Sequence, residues 1–267
     1  MNGGGFDKIR EEYSGKSVLA AYSGGTDSSA LVYLLRNTPG VKLTAVTVKG
    51  PHVPEFEIAS AESFCKKIGV KHHIIEINPL KDKNFLQNDN RRCYYCKKAM
   101  FIVIKQIAAD IGADKIVDGT NNDDISDFRP GITALNELGV ESPFKTYGIG
   151  KFDIIEYLRE NGWESKIHHP NACLVSRIPF GGELSEEILQ RIDAAEAFIT
   201  SLGVSGTRCR VYEKIARIEA NPEDFQRIVV VHDRIAARLR LLGFEKVTLD
   251  LDGYRRGGAN WGSVVIY

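Results

Sequence analysis

The sequence predicts an α/β fold, a doubly wound parallel sheet followed by a small C-terminal α+β domain. Three observations carry that expectation. Apolar strand-like runs alternate with helical patterns between residues 17 and 118. A glycine-rich turn joins the first strand to the first helix. Beyond Pro179-Phe-Gly-Gly182 the alternation gives way to one long helix, a strand pair, a second helix and a last strand. The expected domains are therefore residues 1–180 and 181–267.

Ser17 to Tyr22 is an apolar run that reads as the first strand, and Ser29 to Leu35 lies in the helix after it. Val41–Val48 reads as a second strand. Pro54–Ile68 follows as a helix with proline in its first turn. Lys71–Ile77 is a third strand, Tyr95–Ile111 a helix ending before Gly112, and Lys115–Asp118 a fourth strand. In the second domain Ser185–Leu202 is amphipathic, and Arg208–Tyr212 pairs with Ile215–Ala220 around Glu213-Lys214. A single helix is expected from Pro222 to about Leu242, then a strand at Lys246–Leu251.

Lysine plus arginine equals aspartate plus glutamate at 35 each, so no global field attracts a polyanion and nucleic acid is not an expected partner. No apolar run reaches membrane-spanning length and the first residues are no signal peptide, so the expected location is cytoplasmic, with no membrane. Five cysteines in a reducing compartment point to thiol, metal or cluster chemistry rather than structural disulfides. Of the 12 basic residues after position 180, 10 are arginine, the side chain suited to planar recognition of phosphate or carboxylate.

The turn Ser23-Gly-Gly-Thr-Asp-Ser28 has the composition of a phosphate cradle. Gly24 and Gly25 admit close approach of an anion, the helix N-terminus points N–H groups at it, and Ser23 and Ser28 add hydroxyls. Asp27 beside a polyphosphate is repulsive unless a cation stands between them, so Mg2+ is expected there. Asp118-Gly-Thr-Asn-Asn-Asp-Asp124 leaves the fourth strand at the same sheet edge, bringing Gly119 and Thr120 toward the nucleotide and Asp123 or Asp124 toward its magnesium. Arg129 is positioned to meet a phosphate or a neighbouring acid. Cys93 and Cys96, two residues apart at a helix start, can hold one edge of a metal or cluster or act as a redox dithiol. With Cys173 they form a three-thiolate set for a four-iron cluster with one open iron. A zinc site with His168 or His169 is the alternative. Cys65 and Cys209 read as packed core thiols, and Arg208 and Arg210 share one strand face, within reach of one anion.

Ser-Gly-Gly-x-Asp-Ser resembles the PP-loop of ATP pyrophosphatases, which split ATP between the α and β phosphates and leave AMP on an acceptor oxygen. Arg92-Cys-Tyr-Tyr-Cys-Lys-Lys98, Phe128-Arg-Pro-Gly131, Ala172-Cys-Leu-Val-Ser-Arg177, Arg208-Cys-Arg-Val211 and Ile215-Ala-Arg-Ile-Glu219 sharpen that. With them nearly the whole chain resembles the LarE family, ATP-dependent sulfur transferases of nickel-pincer nucleotide biosynthesis. The resemblance implies adenylation of a carboxylate of pyridinium-3,5-biscarboxylic acid mononucleotide and replacement of oxygen by sulfur. Having all three cysteines, the chain resembles the members that carry a [4Fe-4S] cluster and reload it from a sulfide donor. The other members sacrifice the sulfur of the residue matching Cys173. The resemblance further implies that Ser176, Arg177, Glu196, Arg208 and Arg210 lie near the substrate, with Asp224 a weaker transfer, and that the protein is a homo-oligomer, trimer or hexamer. Rival readings are a PP-loop tRNA thiolase, an amide- or nitrile-forming synthetase, and a nucleotide sensor with a redox-reporting cluster.

Overall fold

The computed structural model describes residues 3–126, 130–167 and 173–255. Its contacts divide the chain into two compact units, residues 1–79 with 91–170, and residues 80–90 with 171–267. The first unit opens with a helix absent from the sequence reading, α1 (Gly3–Tyr13). Then follow β1 (Ser17–Ala21), α2 (Thr26–Arg36), β2 (Lys42–Lys49), α3 (Glu55–Ile68) and β3 (Lys71–Glu76). A short α4 (Lys83–Leu86) belongs to the second unit. The first resumes with α5 (Arg92–Asp110), β4 (Lys115–Asp118), α6 (Pro130–Glu137), α7 (Pro143–Thr146) and α8 (Lys151–Glu160).

The four strands are all parallel, in the order β3-β2-β1-β4. Successive residues of β1 serve opposite faces. Val18 and Ala20 pack with Leu31, Leu34 and Phe64, whereas Leu19 packs with Val46, Phe101 and Ile104. Both faces are covered, which is why these strands read as unbroken apolar runs. Strand order reverses about β1, since β2 lies on one side and β4 on the other. The loops after β1 and β4 therefore open at a topological switch point, the place where such sheets bind ligands.

In the second unit α9 (Glu186–Ser201) starts at Ser185, whose Oγ accepts the Ile188 N–H at 3.2 Å. The antiparallel pair β5 (Arg208–Tyr212) and β6 (Ile215–Glu219) turns at Glu213, φ 53°. A parallel β7 (Lys246–Leu249) completes the sheet. The single helix expected from Pro222 to Leu242 is instead a 3-10 turn at Pro222–Asp224, α10 (Phe225–Val230) and α11 (His232–Leu241). The β-branched run Ile228 to Val231 is poor helix material, and the His232 ring takes the Val229 carbonyl at 2.8 Å, so the helix breaks at Val231. Residues 80–90 join this unit through Asn88, fully buried and left-handed at φ 49°. Its amide donates to the carbonyls of Pro179 (2.8 Å) and Gly182 (2.7 Å). No helix among the described residues is long and apolar enough to cross a membrane.

Candidate active site

The glycine turn sits between β1 and α2. Ser23 Oγ and Ser28 Oγ are 3.0 Å apart, and the Ser28 hydroxyl also reaches the Gly25 carbonyl at 3.1 Å. Gly24 has φ +83°, and a Cβ there would stand 3.0 Å from the Glu57 carbonyl of α3. Thr26 Oγ1 donates to the Lys166 carbonyl at 2.9 Å. The Lys166 ammonium is buried on Ser60 and the Phe64 ring, where burial lowers its pKa. The turn is thus held from both sides, at the N-terminus of α2, whose first N–H groups have no carbonyl acceptor within the helix.

The β4 loop comes in contact with it. A Cβ at Gly119 would lie 2.8 Å from Ser28 N and 2.9 Å from Ser28 Cα, so only glycine lets the two backbones approach this closely. Asp118 accepts the hydroxyls of Thr120 and Ser142, both at 2.6 Å, and the Lys97 ammonium of α5 is 3.6 Å away. Asp27 accepts Asn121 Nδ2 at 3.1 Å and Lys151 Nζ at 2.5 Å. Asp123 accepts the Lys151 backbone N–H at 2.7 Å, and Asp124 that of Asn121 at 3.3 Å. Both acids expected near magnesium thus hold loop backbone beside Asp27. Lys151 and Asn121 were not picked out from the sequence.

Cys93 and Cys96 lie in the first turns of α5, which starts at Arg92 and not at Tyr95. A spacing of three residues places both thiols on one helix face. Cys93 is exposed and Cys96 is buried, its Sγ 3.5 Å from Met100 Sδ. Two thiols so placed fit two ligand positions of a cluster or metal. Cys173, half-buried, belongs to the second unit. Among the described residues no group of three or more His, Cys, Asp or Glu is gathered to hold a metal ion. His168, His169 and Arg129 lie outside the described residues. Cys65 is buried, with its thiol pushed up to about 11 by burial, and Cys209 is fully buried, as core thiols should be.

In the second unit Arg177 and Glu196 form a two-pronged pair, Nε–Oε1 and Nη2–Oε2 each 2.8 Å, with the Arg177 side chain 1% exposed. Burial opposes the charge on Arg177, but Glu196 outweighs it and holds the guanidinium above its usual pKa. Glu196 Oε1 also accepts the Cys209 N–H at 2.8 Å, and Ser176 Oγ accepts Arg177 Nη1 at 3.0 Å. Arg210 donates to the Ser176 carbonyl (2.6 Å) and to Glu219 (3.0 Å), which also accepts Arg217 at 2.7 Å. Arg208 donates to the Thr207 carbonyl at 2.9 Å and stands 5.2 Å from the centre of the Tyr254 ring. Burial and the nearby Arg177 lower its pKa. Arg208 and Arg210 are therefore buried, not the solvated surface pair that their charge alone suggests. Asp224 is 3.7 Å from Arg227.

Residues 17–131 match the family described as queuosine biosynthesis protein QueC, which covers the PP-loop region. The chain is 31% identical to pyridinium-3,5-bisthiocarboxylic acid mononucleotide synthase of Lactiplantibacillus plantarum, over 91% of this chain and 88% of that protein. The chain belongs to the LarE family. Two further relatives are similarly complete. An uncharacterized protein of Synechocystis is 35% identical over 91% of both chains. One of Methanocaldococcus jannaschii is 32% identical over 93% of this chain and 95% of that one. The LarE match extends past the PP-loop sheet into the arginine-rich unit, and the four-stranded parallel sheet is the PP-loop fold. An ATP-dependent, sulfur-transferring enzyme follows from these two findings together.

Proposed function

We propose that the protein adenylates a carboxylate of pyridinium-3,5-biscarboxylic acid mononucleotide and replaces its oxygen with sulfur. The observation that carries this reading is the likeness to the bisthiocarboxylate synthase over 91% of the chain, arginine-rich unit included. ATP lies over Ser23, Gly24, Gly25 and Ser28, with Gly119 and Thr120 beside it and Mg2+ at Asp27. The substrate carboxylate attacks the α phosphorus, pyrophosphate leaves with the bridging electron pair, and the acyl-adenylate becomes the electrophile. Preorganised N–H donors favour this because they need no rearrangement as charge moves onto the leaving group.

Arg208 and Arg210 bind the substrate phosphate and second carboxylate. Their burial supports this, because a desolvated guanidinium gains most from a two-pronged anion. Glu196 holds Arg177, and through Cys209 N–H the strand that carries both arginines. Cys93, Cys96 and Cys173 are the residues that would hold a [4Fe-4S] cluster, which when bound supplies the sulfide nucleophile. The exposed Val229, Val230 and Leu241 of the second unit support a homo-oligomer, trimer or hexamer, built partly through that unit.

The test is formation of AMP and pyrophosphate that depends on the pyridinium dicarboxylate, with thiocarboxylate appearing in step. Iron and acid-labile sulfide are measured on anaerobically purified protein and on Cys93→Ala, Cys96→Ala and Cys173→Ala. Each variant is expected to lose most of both. Iron-free protein that still turns over, or loss of one hydrogen sulfide in mass from Cys173, would remove the cluster as sulfur source.

A further inference from the structure

Lys166 ends a 3-10 turn, Glu164–Lys166, that follows α8 in the first unit. Only 6% of the residue is exposed. Its ammonium donates to the Ser60 carbonyl at 3.0 Å and to Ser60 Oγ at 2.7 Å, and lies 4.8 Å from the centre of the Phe64 ring. No carboxylate among the described residues pairs with it. Burial lowers its pKa, so the charge is held against a desolvation cost. Methionine would fill the same space without that cost, so packing alone does not call for a lysine here.

What the lysine does reach is the phosphate-binding turn, from two directions. Its carbonyl accepts Thr26 Oγ1 at 2.9 Å, at the first residue of α2. Its ammonium holds Ser60, which lies on the turn of α3 against which Gly24 rests. A Cβ on Gly24 would stand 3.0 Å from the Glu57 carbonyl and 3.5 Å from Ala61 Cβ. Gly24 and Thr26 are thus fixed through one residue, with Gly25 between them. We propose that Lys166 is a positioning residue for this turn, an internal brace that ties α3 to the start of α2. It sets where the backbone of Gly24, Gly25 and Thr26 meets the nucleotide phosphates, and it never touches substrate itself. Charge makes its bonds to Ser60 stronger than a neutral side chain could, and a small displacement of the backbone donors weakens binding. The cost falls on stability and the gain on phosphate binding, so a variant separates the two.

The inference rests on the reading of Ser23–Ser28 as a phosphate site. Wild type, Lys166→Met, Ser60→Ala and the double variant are titrated calorimetrically with Mg2+ and ATP, with Mg2+ and pyrophosphate, and with adenosine, and are melted without ligand. Lys166→Met is expected to melt no lower than wild type. It is expected to bind ATP and pyrophosphate about tenfold more weakly, near the loss of one charge-assisted bond, and adenosine within about 2-fold. Ser60→Ala leaves the charge in place and removes one bond, so a loss of about 2- to 4-fold is expected, with none added in the double variant. A lower melting point in Lys166→Met with all three ligands weakened alike is the pattern of a purely structural lysine and would overturn the assignment. So would unchanged pyrophosphate affinity in Lys166→Met, or losses that simply add in the double variant. Wild type that binds neither ATP nor pyrophosphate would instead remove the phosphate site itself, and the brace with it.

Discussion

Changing Glu196 to glutamine takes one negative charge from a place where Arg177 is almost wholly out of water. Glutamine keeps an oxygen for Arg177 Nε and the Cys209 N–H, both now on Oε1. It presents an NH2 group to Arg177 Nη2, where the second 2.8 Å bond stood. One charge-assisted bond is lost, at about 1.5–3 kcal/mol, and a buried charge loses its counter-charge, which raises the total toward about 3–5 kcal/mol. For a chain of this size about 3 kcal/mol corresponds to a melting point roughly 6–12 °C lower. Calorimetry of wild type, Glu196→Gln, Arg177→Met and the double variant gives the coupling. The double variant is expected to be about 2–3 kcal/mol more stable than the sum of the single losses implies, because no unpaired charge remains. A Glu196→Gln protein within about 1 kcal/mol of wild type, or strictly additive losses, would refute the view that this pair holds the arginine strand.

Gly119→Ala forces a methyl against Ser28 backbone, and we expect about 1–3 kcal/mol of destabilisation with ATP affinity falling by about tenfold or more, read by denaturation and nucleotide titration. His52 is buried, its Nδ1 has no hydrogen-bond partner among the described residues, and burial lowers its pKa from 6.5 to about 4. The unfolded chain therefore binds a proton that the native one refuses between those values. Its contribution is complete above pH 6.5 and is lost as pH falls toward about 4, at most about 3 kcal/mol. In urea titrations His52→Gln should lose less stability than wild type between about pH 7 and pH 4.5. An unchanged pH slope would count against a neutral buried His52.

The parallel sheet was legible because both its faces are buried, which writes each strand as an apolar run. The cradle was legible for a related reason, since a strand, two glycines and a helix start occupy consecutive residues. Lys151 was not, because its partner Asp27 is 124 residues away and nothing local marks an exposed-looking lysine as the other half of an ion pair. The burial of Arg208 and Arg210 escaped the sequence in the same way. Their alternation assigns a common face, but Glu219 and the Ser176 carbonyl, which compensate Arg210, come from other elements. The break at Val231 shows competition within one segment, amphipathic spacing favouring one helix and a β-branched run dividing it. Cys93 and Cys96 were readable as a pair on one helix turn, whereas their relation to Cys173 depends on how the chain passes from one unit to the other.

That passage bears on how the protein is made. Asn88 belongs to the unit completed by residues 171–267, and the carbonyls it bonds lie 91 and 94 residues further along. During synthesis the residues around Asn88 emerge long before Pro179 and Gly182 do. Cutting the gene after residue 180 would keep the Pro179 carbonyl but remove that of Gly182, leaving Asn88 with one of its two partners. Fragments that follow the two compact units instead splice 79 to 91, or supply 80–90 to the C-terminal piece as a separate peptide.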